Sequence, residues 1–142
     1  MIFRAETPEQ RTHLLAYLAE KVDELPHELV GSSPFQIFAA IRNDKLAGVV
    51  LFVNYRRQSI EFHLCGAPGW MTRRDIRYLF SYAFGLNGCL RVWCLIKRKN
   101  KQARKGAERL GFRVLGVAHD EFGEGRDGIL YEMTRSQCKW IK

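Results

Sequence analysis

Asn100-Lys101-Gln102-Ala103-Arg104-Lys105-Gly106-Ala107-Glu108-Arg109-Leu110-Gly111-Phe112 carries a helix start, a helix body, a stop and the opening of a strand. An asparagine side chain accepts a hydrogen bond from a free N–H in the first helical turn. A glycine after the last apolar position takes the left-handed conformation that ends many helices. The preceding run, Leu90-Arg91-Val92-Trp93-Cys94-Leu95-Ile96, is apolar and rich in β-formers, so it reads as a strand. Strand, helix and strand in succession imply a crossover connection, and crossovers join parallel strands.

Upstream, Phe3 opens a short strand, and Thr7-Pro8-Glu9-Gln10 is a helix start: threonine N-cap, proline at the first helical position, glutamine closing a capping box. Leu14, Leu15, Leu18 and Val22 keep helical spacing to about Val22. The span from Pro26 to Pro34 leaves room for a second short helix. Phe35–Ile41 and the apolar run Leu46–Val53, joined by the turn Asn43-Asp44-Lys45, predict a hairpin whose second strand is buried on both faces. Tyr55–Gln58 reads as a polar connection, Ser59–Leu64 as a strand and Cys65–Trp70 as a loop. Thr72 with Asp75 caps a helix predicted through Leu86, with Ile76, Leu79, Phe80 and Ala83 on one face. After Phe112 come a strand (Arg113–His119), a loop (Asp120–Arg126), a strand (Gly128–Thr134) and a polar tail carrying Trp140.

The 142 residues, 46% hydrophobic and 27% charged, suit one domain, 1–142, with its own core. No apolar run approaches the ~20 residues of a membrane span. The first residues lack the basic-then-apolar pattern of a secretion signal. The four cysteines form no Cys-x-x-Cys pair and lie mostly in apolar runs, as reduced thiols of a cytoplasmic protein do. No His/Cys spacing points to a metal site. Lys and Arg number 23 against 15 Asp and Glu, a net charge of +8, which attracts polyanions: nucleic acid, or a phosphate-rich coenzyme.

Element order predicts an α/β (α+β) domain of three layers, a central mixed β-sheet flanked by helices. Asn100-x-x-Ala103, Leu110-Gly111-Phe112 and the strand before them closely resemble the C-terminal half of the GNAT acetyltransferase superfamily. The order of elements is similar over essentially the whole chain. Gly116-Val117-x(3)-Glu121-Phe122 with Asp127-Gly128-Ile129-Leu130-Tyr131-x-Met133 looks like members that modify protein N-termini or small amines. The chain is similar to short members of phage and bacterial type.

The resemblance implies acetyl-CoA as co-substrate and an amine, of a protein or a small molecule, as acceptor. It also implies an arm of the coenzyme paired to backbone at Leu64, Cys65 and Gly66, and a pyrophosphate at the helix start Thr72, Arg73 and Arg74, with Asn100 on the arm. The family's Arg/Gln-x-x-Gly-x-Gly/Ala loop is not reproduced: Gly69-Trp70-Met71-Thr72-Arg73-Arg74 stands there, and Arg77 and Thr72 are further polar candidates. Asp75 adds a negative charge beside them. On the strand Ser59–Leu64, alternation puts Glu61 and His63 on one face, where either can serve as base or position a water. The family's general-acid tyrosine falls at Ala107, leaving Tyr82 or Tyr131 as candidate acids.

A plain structural protein has no positive feature in the sequence, and two other readings of function stay open at this level. One is an N-acetyltransferase with Glu61, His63 and Tyr131 as catalytic candidates. The other is a catalytically impaired fold that binds nucleic acid or an acidic protein through the basic run Lys97, Arg98, Lys99, Lys101, Arg104, Lys105 and Arg109. Both Arg73–Arg74 and this run also suit a merely solvated helix face.

Overall fold

A computed structural model of the chain describes residues 1–22, 34–66 and 69–142. Among the described residues there are seven strands: β1 (Ile2–Arg4), β2 (Gln36–Arg42), β3 (Lys45–Arg56), β4 (Ser59–Gly66), β5 (Arg91–Lys97), β6 (Arg113–Ala118) and β7 (Gly128–Thr134). They form one mixed sheet in the order β1-β2-β3-β4-β5-β7-β6. Helix α1 (Pro8–Lys21) covers one face, placing Leu14 and Leu18 on Ile37, Ala39, Val49, Leu51 and Val53. Helices α2 (Arg73–Ser81) and α3 (Lys101–Leu110) cover the other, with Ile76, Leu79, Phe80, Ala107 and Leu110 packed among Phe38, Val50, Phe52, Ile60 and Phe62. These are the three layers that the element order predicts. Among the described residues no helix is long and apolar enough to cross a membrane.

Local chemistry explains the main boundaries. Thr7 and Gln10 close the capping box of α1. Asn43 and Asp44, at φ 52° and 61°, make a two-residue hairpin turn of the primed kind that matches strand twist. Gly111, at φ 107°, ends α3. The room for a second helix between Pro26 and Pro34 falls on residues 23–33, outside the described residues.

Three boundaries differ from expectation. Tyr55 and Arg56 continue β3, and the connection to β4 is only Arg57 and Gln58, both at positive φ. Polar side chains there mark an exposed strand end, which looks like a loop in sequence. Cys65 and Gly66 extend β4 by pairing with Val49 and Gly48. The predicted helix through Leu86 changes pitch after Ser81 into a π-helical turn, Tyr82–Leu86, closed by Asn87 N–H donating to the Tyr82 carbonyl at 2.8 Å.

The C-terminal tail is docked through two 3-10 turns. The Trp140 indole donates to the Leu110 carbonyl at 2.7 Å, and Arg77 Nε donates to the Trp140 carbonyl at 3.2 Å. Trp140 and Ile141 pack on the core between α2 and α3, so the tail's polar composition conceals two apolar anchors.

All four cysteines are unpaired thiols. Burial pushes Cys65 up to about 11, and burial with the nearby Glu61 carboxylate pushes Cys94 up to about 12, from an ordinary 9.0. Below pH 9 both states hold these protons and the contribution to stability is complete. As pH rises from 9 towards 11–12 the unfolded chain loses them first, so stability falls across that window. The urea midpoint is therefore lower at pH 10.5 than at pH 8, with part of the drop removed in Cys94→Ala; an unchanged midpoint contradicts the assignment.

Candidate functional site

Strands β4 and β5 run parallel but pair only through Ser59↔Arg91, Ile60↔Val92 and Glu61↔Trp93. Beyond that point β4 stays on β3 as far as Gly66, and β5 stays on β7 as far as Lys97. Among the described residues no ladder joins 62–66 to 94–97, so the sheet parts into a wedge with a backbone lip on each side. Backbone N–H and C=O groups need partners, and such a lip can pair with an extended, amide-bearing chain. The carboxyl ends of both strands lie at the open end, where α2 and α3 begin. Open α/β sheets characteristically bind ligands at such places, with helix N-termini facing anions.

On the α1 face, Glu61 and His63 stand in register with Val53 and Leu51. Glu61 is 4% exposed. Its Oε1 accepts from Asn54 Nδ2 at 3.0 Å, and its Oε2 meets His63 Nε2 in a short contact. His63 is the more accessible of the two, its side chain 14% exposed against 5% for Glu61. Because a carboxylate only accepts, the network assigns the ring proton to Nε2 and the lone pair to Nδ1. An imidazole oriented in this way by a carboxylate is an arrangement that can accept a proton. Cys65 follows on the same face, and its raised thiol makes it a poor nucleophile.

On the opposite face, Thr72 Oγ1 accepts from Asp75 N–H, and Asp75 Oδ2 accepts from Thr72 N–H, each at 3.1 Å. Asp75 does not face the site as a free charge. It is 5% exposed, and Arg42 donates to its Oδ2 at 2.8 Å. The same guanidinium donates through Nε to the Trp70 carbonyl at 2.7 Å. Arg73 and Arg74 are exposed at the first turn, whose N–H groups have no intrahelical acceptor. Arg77 is turned to the tail.

The Trp70 indole lies flat across Gly48 and Gly66. A Cβ at Gly48 would stand 2.3 Å from the ring, and one at Gly66 2.4 Å. The missing side chain of Gly66 thus admits the indole, and its backbone is what remains for a ligand. Asn100 Oδ1 accepts from Ala103 N–H at 3.1 Å, starting α3 beside the other lip.

Tyr131 and Tyr82 part company. Tyr82 packs on Phe38 and Phe52, under β2 and β3 and away from the wedge. Tyr131 stands on β7 opposite Cys94 of β5. It is fully buried, and its hydroxyl accepts from Arg104 Nε at 3.0 Å. Arg104 shares a helix face with Ala107, so this phenol is anchored one turn from the alanine. Arg104 accordingly leaves the basic surface run, and Arg98 pairs with Asp127 at 3.6 Å. Lys99, Lys101, Lys105 and Arg109 stay exposed.

Sequence reasoning missed Asn54, Trp70 and Arg42. Asn54 meets a partner 7 residues away, Trp70 meets glycines 4 and 22 residues away, and Arg42 meets partners 28 and 33 residues away, and no periodic pattern records such contacts. An available hint was the asparagine ending an apolar run, since asparagine tolerates left-handed backbone.

Lips of this kind can pair with an amide-bearing arm, and helix starts can face an anion. The sequence matches no family model, and a search among curated proteins finds no match. Solved structures do match. Spermidine N-acetyltransferase of Vibrio cholerae in complex with CoA and spermine superposes with a TM-score of 0.72 at 18% identity, covering 100% of this chain and 98% of that one. A chimera of the same enzyme with hSSAT gives 0.71 at 20% identity, covering 100% and 99%. The described residues of the chain thus share the fold of these acetyltransferases.

Proposed function

We propose that the chain is an N-acetyltransferase that transfers acetyl from acetyl-CoA to the amine of a small acceptor. One observation carries this: the Glu61–His63 pair stands where β4 and β5 part, with two helix N-termini at the open end of the same wedge. The likeness to a structure holding CoA and spermine favours a small amine over a protein acceptor. Four unpaired thiols suit the reducing cytoplasm.

Acetyl-CoA supplies an activated acetyl thioester. The backbone of Leu64, Cys65 and Gly66 pairs with its arm and fixes the carbonyl. Thr72, Arg73 and Arg74 take the anionic end at the α2 start, and Asn100 borders the arm. The acceptor nitrogen forms the C–N bond as the C–S bond breaks. Its surplus proton passes to His63 Nδ1, while Glu61 steadies the ring through Nε2. Tyr131, whose oxygen accepts from Arg104 and whose O–H is thereby left to donate, returns a proton to the departing sulfur and regains one when the coenzyme has left. Proximity within the wedge contributes much of the rate.

Calorimetric titration with CoA tests the reading at its base: saturable binding is expected, and no heat at millimolar ligand overturns it. With binding established, thiol release over a panel of mono-, di- and polyamines reads the transfer. Tyr131→Phe lowers kcat on the order of 10²-fold with KM little changed; an unchanged kcat removes Tyr131 from the mechanism.

A further inference from the structure

The turn end of β3 carries a β-bulge. Val53 pairs with Glu61 and Arg56 pairs with Ser59, so Asn54 and Tyr55 together oppose Ile60. Regular alternation would send residue 54 to the face of Phe52, away from Glu61. The bulge changes this. Asn54 adopts φ 57°, left-handed backbone that a side chain enters at some cost, and bulges re-aim side chains beside functional sites. Its amide thereby reaches Glu61 Oε1 at 3.0 Å, and the other carboxylate oxygen is the one that meets His63.

We propose that Asn54 is a positioning residue of the acetyl-transfer site, an inference that rests on the function proposed above. Its Nδ2–H holds one oxygen of Glu61, so the carboxylate has a single orientation and presents Oε2 to His63 Nε2. That keeps the ring proton on Nε2 and directs Nδ1 to the acceptor amine. Asn54 touches neither substrate nor coenzyme; it acts through Glu61. With the amide removed, the carboxylate can rotate, the ring is held by a looser acceptor, and both imidazole tautomers become populated.

Asn54→Gly is the cleanest test, because glycine accepts left-handed backbone more readily than asparagine and only the amide is lost. Asn54→Asp keeps size and shape but sets an acceptor against a carboxylate. Two measurements are made on each. Nitrogen-15 shifts of the imidazole rings, with His63 assigned by His63→Gln, show one tautomer in the wild type and a mixture in Asn54→Gly. Steady-state kinetics show kcat/KM reduced roughly tenfold to a hundredfold in Asn54→Gly, carried by kcat, with melting temperature unchanged or raised. In Asn54→Asp the loss shrinks as pH falls and one carboxyl takes up a proton. An unshifted His63 tautomer together with wild-type kcat overturns the proposal. A wild type that transfers no acetyl group refutes the function instead, and the nitrogen shifts still decide whether Asn54 orients the pair.

Discussion

Glu61→Gln lowers kcat/KM by about 10²–10⁴-fold, the range lost with a general base and roughly 3–5 kcal/mol of transition-state stabilisation. The carboxamide fills the same volume, and its oxygen still accepts from Asn54. Its NH₂ then points at His63 Nε2, where only an acceptor can pair with it. The ring answers by moving its proton to Nδ1, the nitrogen proposed to receive the proton of the amine. Buried Glu61 is thus felt through the tautomer of His63. His63→Gln gives a loss of the same order, and the double variant falls little further, because the two act as a unit. Stopped-assay kinetics with CoA binding measured alongside check this: kcat falls and coenzyme affinity stays. If Glu61→Gln keeps wild-type kcat, the pair is structural and the base lies elsewhere.

Trp70→Ala has the largest expected effect on stability, a loss of about 3–5 kcal/mol, or a melting temperature lower by roughly 10 °C for a chain of this size. The indole is 7% exposed and covers the backbone of Gly48 and Gly66, while Arg42 ties its carbonyl to Asp75. Removing the ring leaves a void over the end of β4 and loosens the segment that leads into α2. Coenzyme affinity falls as well, since the lip at Gly66 and the helix start at Thr72 lose their common support. Gly48→Ala, whose Cβ would stand 2.3 Å from the ring, costs about 1–3 kcal/mol by overpacking. Combined with Trp70→Ala it costs much less, because the vacated space accepts the methyl. That negative coupling distinguishes direct contact from two independent injuries; strictly additive losses contradict the packing.

The indole also changes the meaning of a departure noted in the sequence. Gly69-Trp70-Met71-Thr72 lacks the glycine spacing of the family loop, and the sequence offers in its place the side chains of Arg73, Arg74 and Arg77 with the Thr72 hydroxyl. In the folded chain the segment is an anchored one. Trp70 is packed, Asp75 is neutralised by Arg42, and the capping box closes at Thr72, so Arg73 and Arg74 project from a fixed helix start.

Much of this architecture is legible in the chain because its causes are local. Thr7 with Gln10, Thr72 with Asp75, and Asn100 ahead of Ala103 each satisfy N–H groups within three residues. Gly111 ends α3 by a conformation that side chains resist. Alternation along β4 is enough to put Glu61 and His63 on one face. Asn100–Phe112 therefore determined, unaided, a helix, its two ends and the strand after it.

Whether those pieces make a site was decided only in three dimensions. The parting of β4 from β5 depends on pairing between segments about thirty residues apart, and pairing leaves no periodic trace in either. The left-handed twist of Asn54 is meaningful only with Glu61 across the hairpin. The glycines at 48 and 66 are explained by one ring, and Tyr131 comes beside the helix of Ala107 only because β7 is inserted between β5 and β6. The physical reason is the same in each case: capping and alternation act within one turn or one strand, whereas close packing and charge pairing act between whichever residues the finished fold brings within a few ångströms.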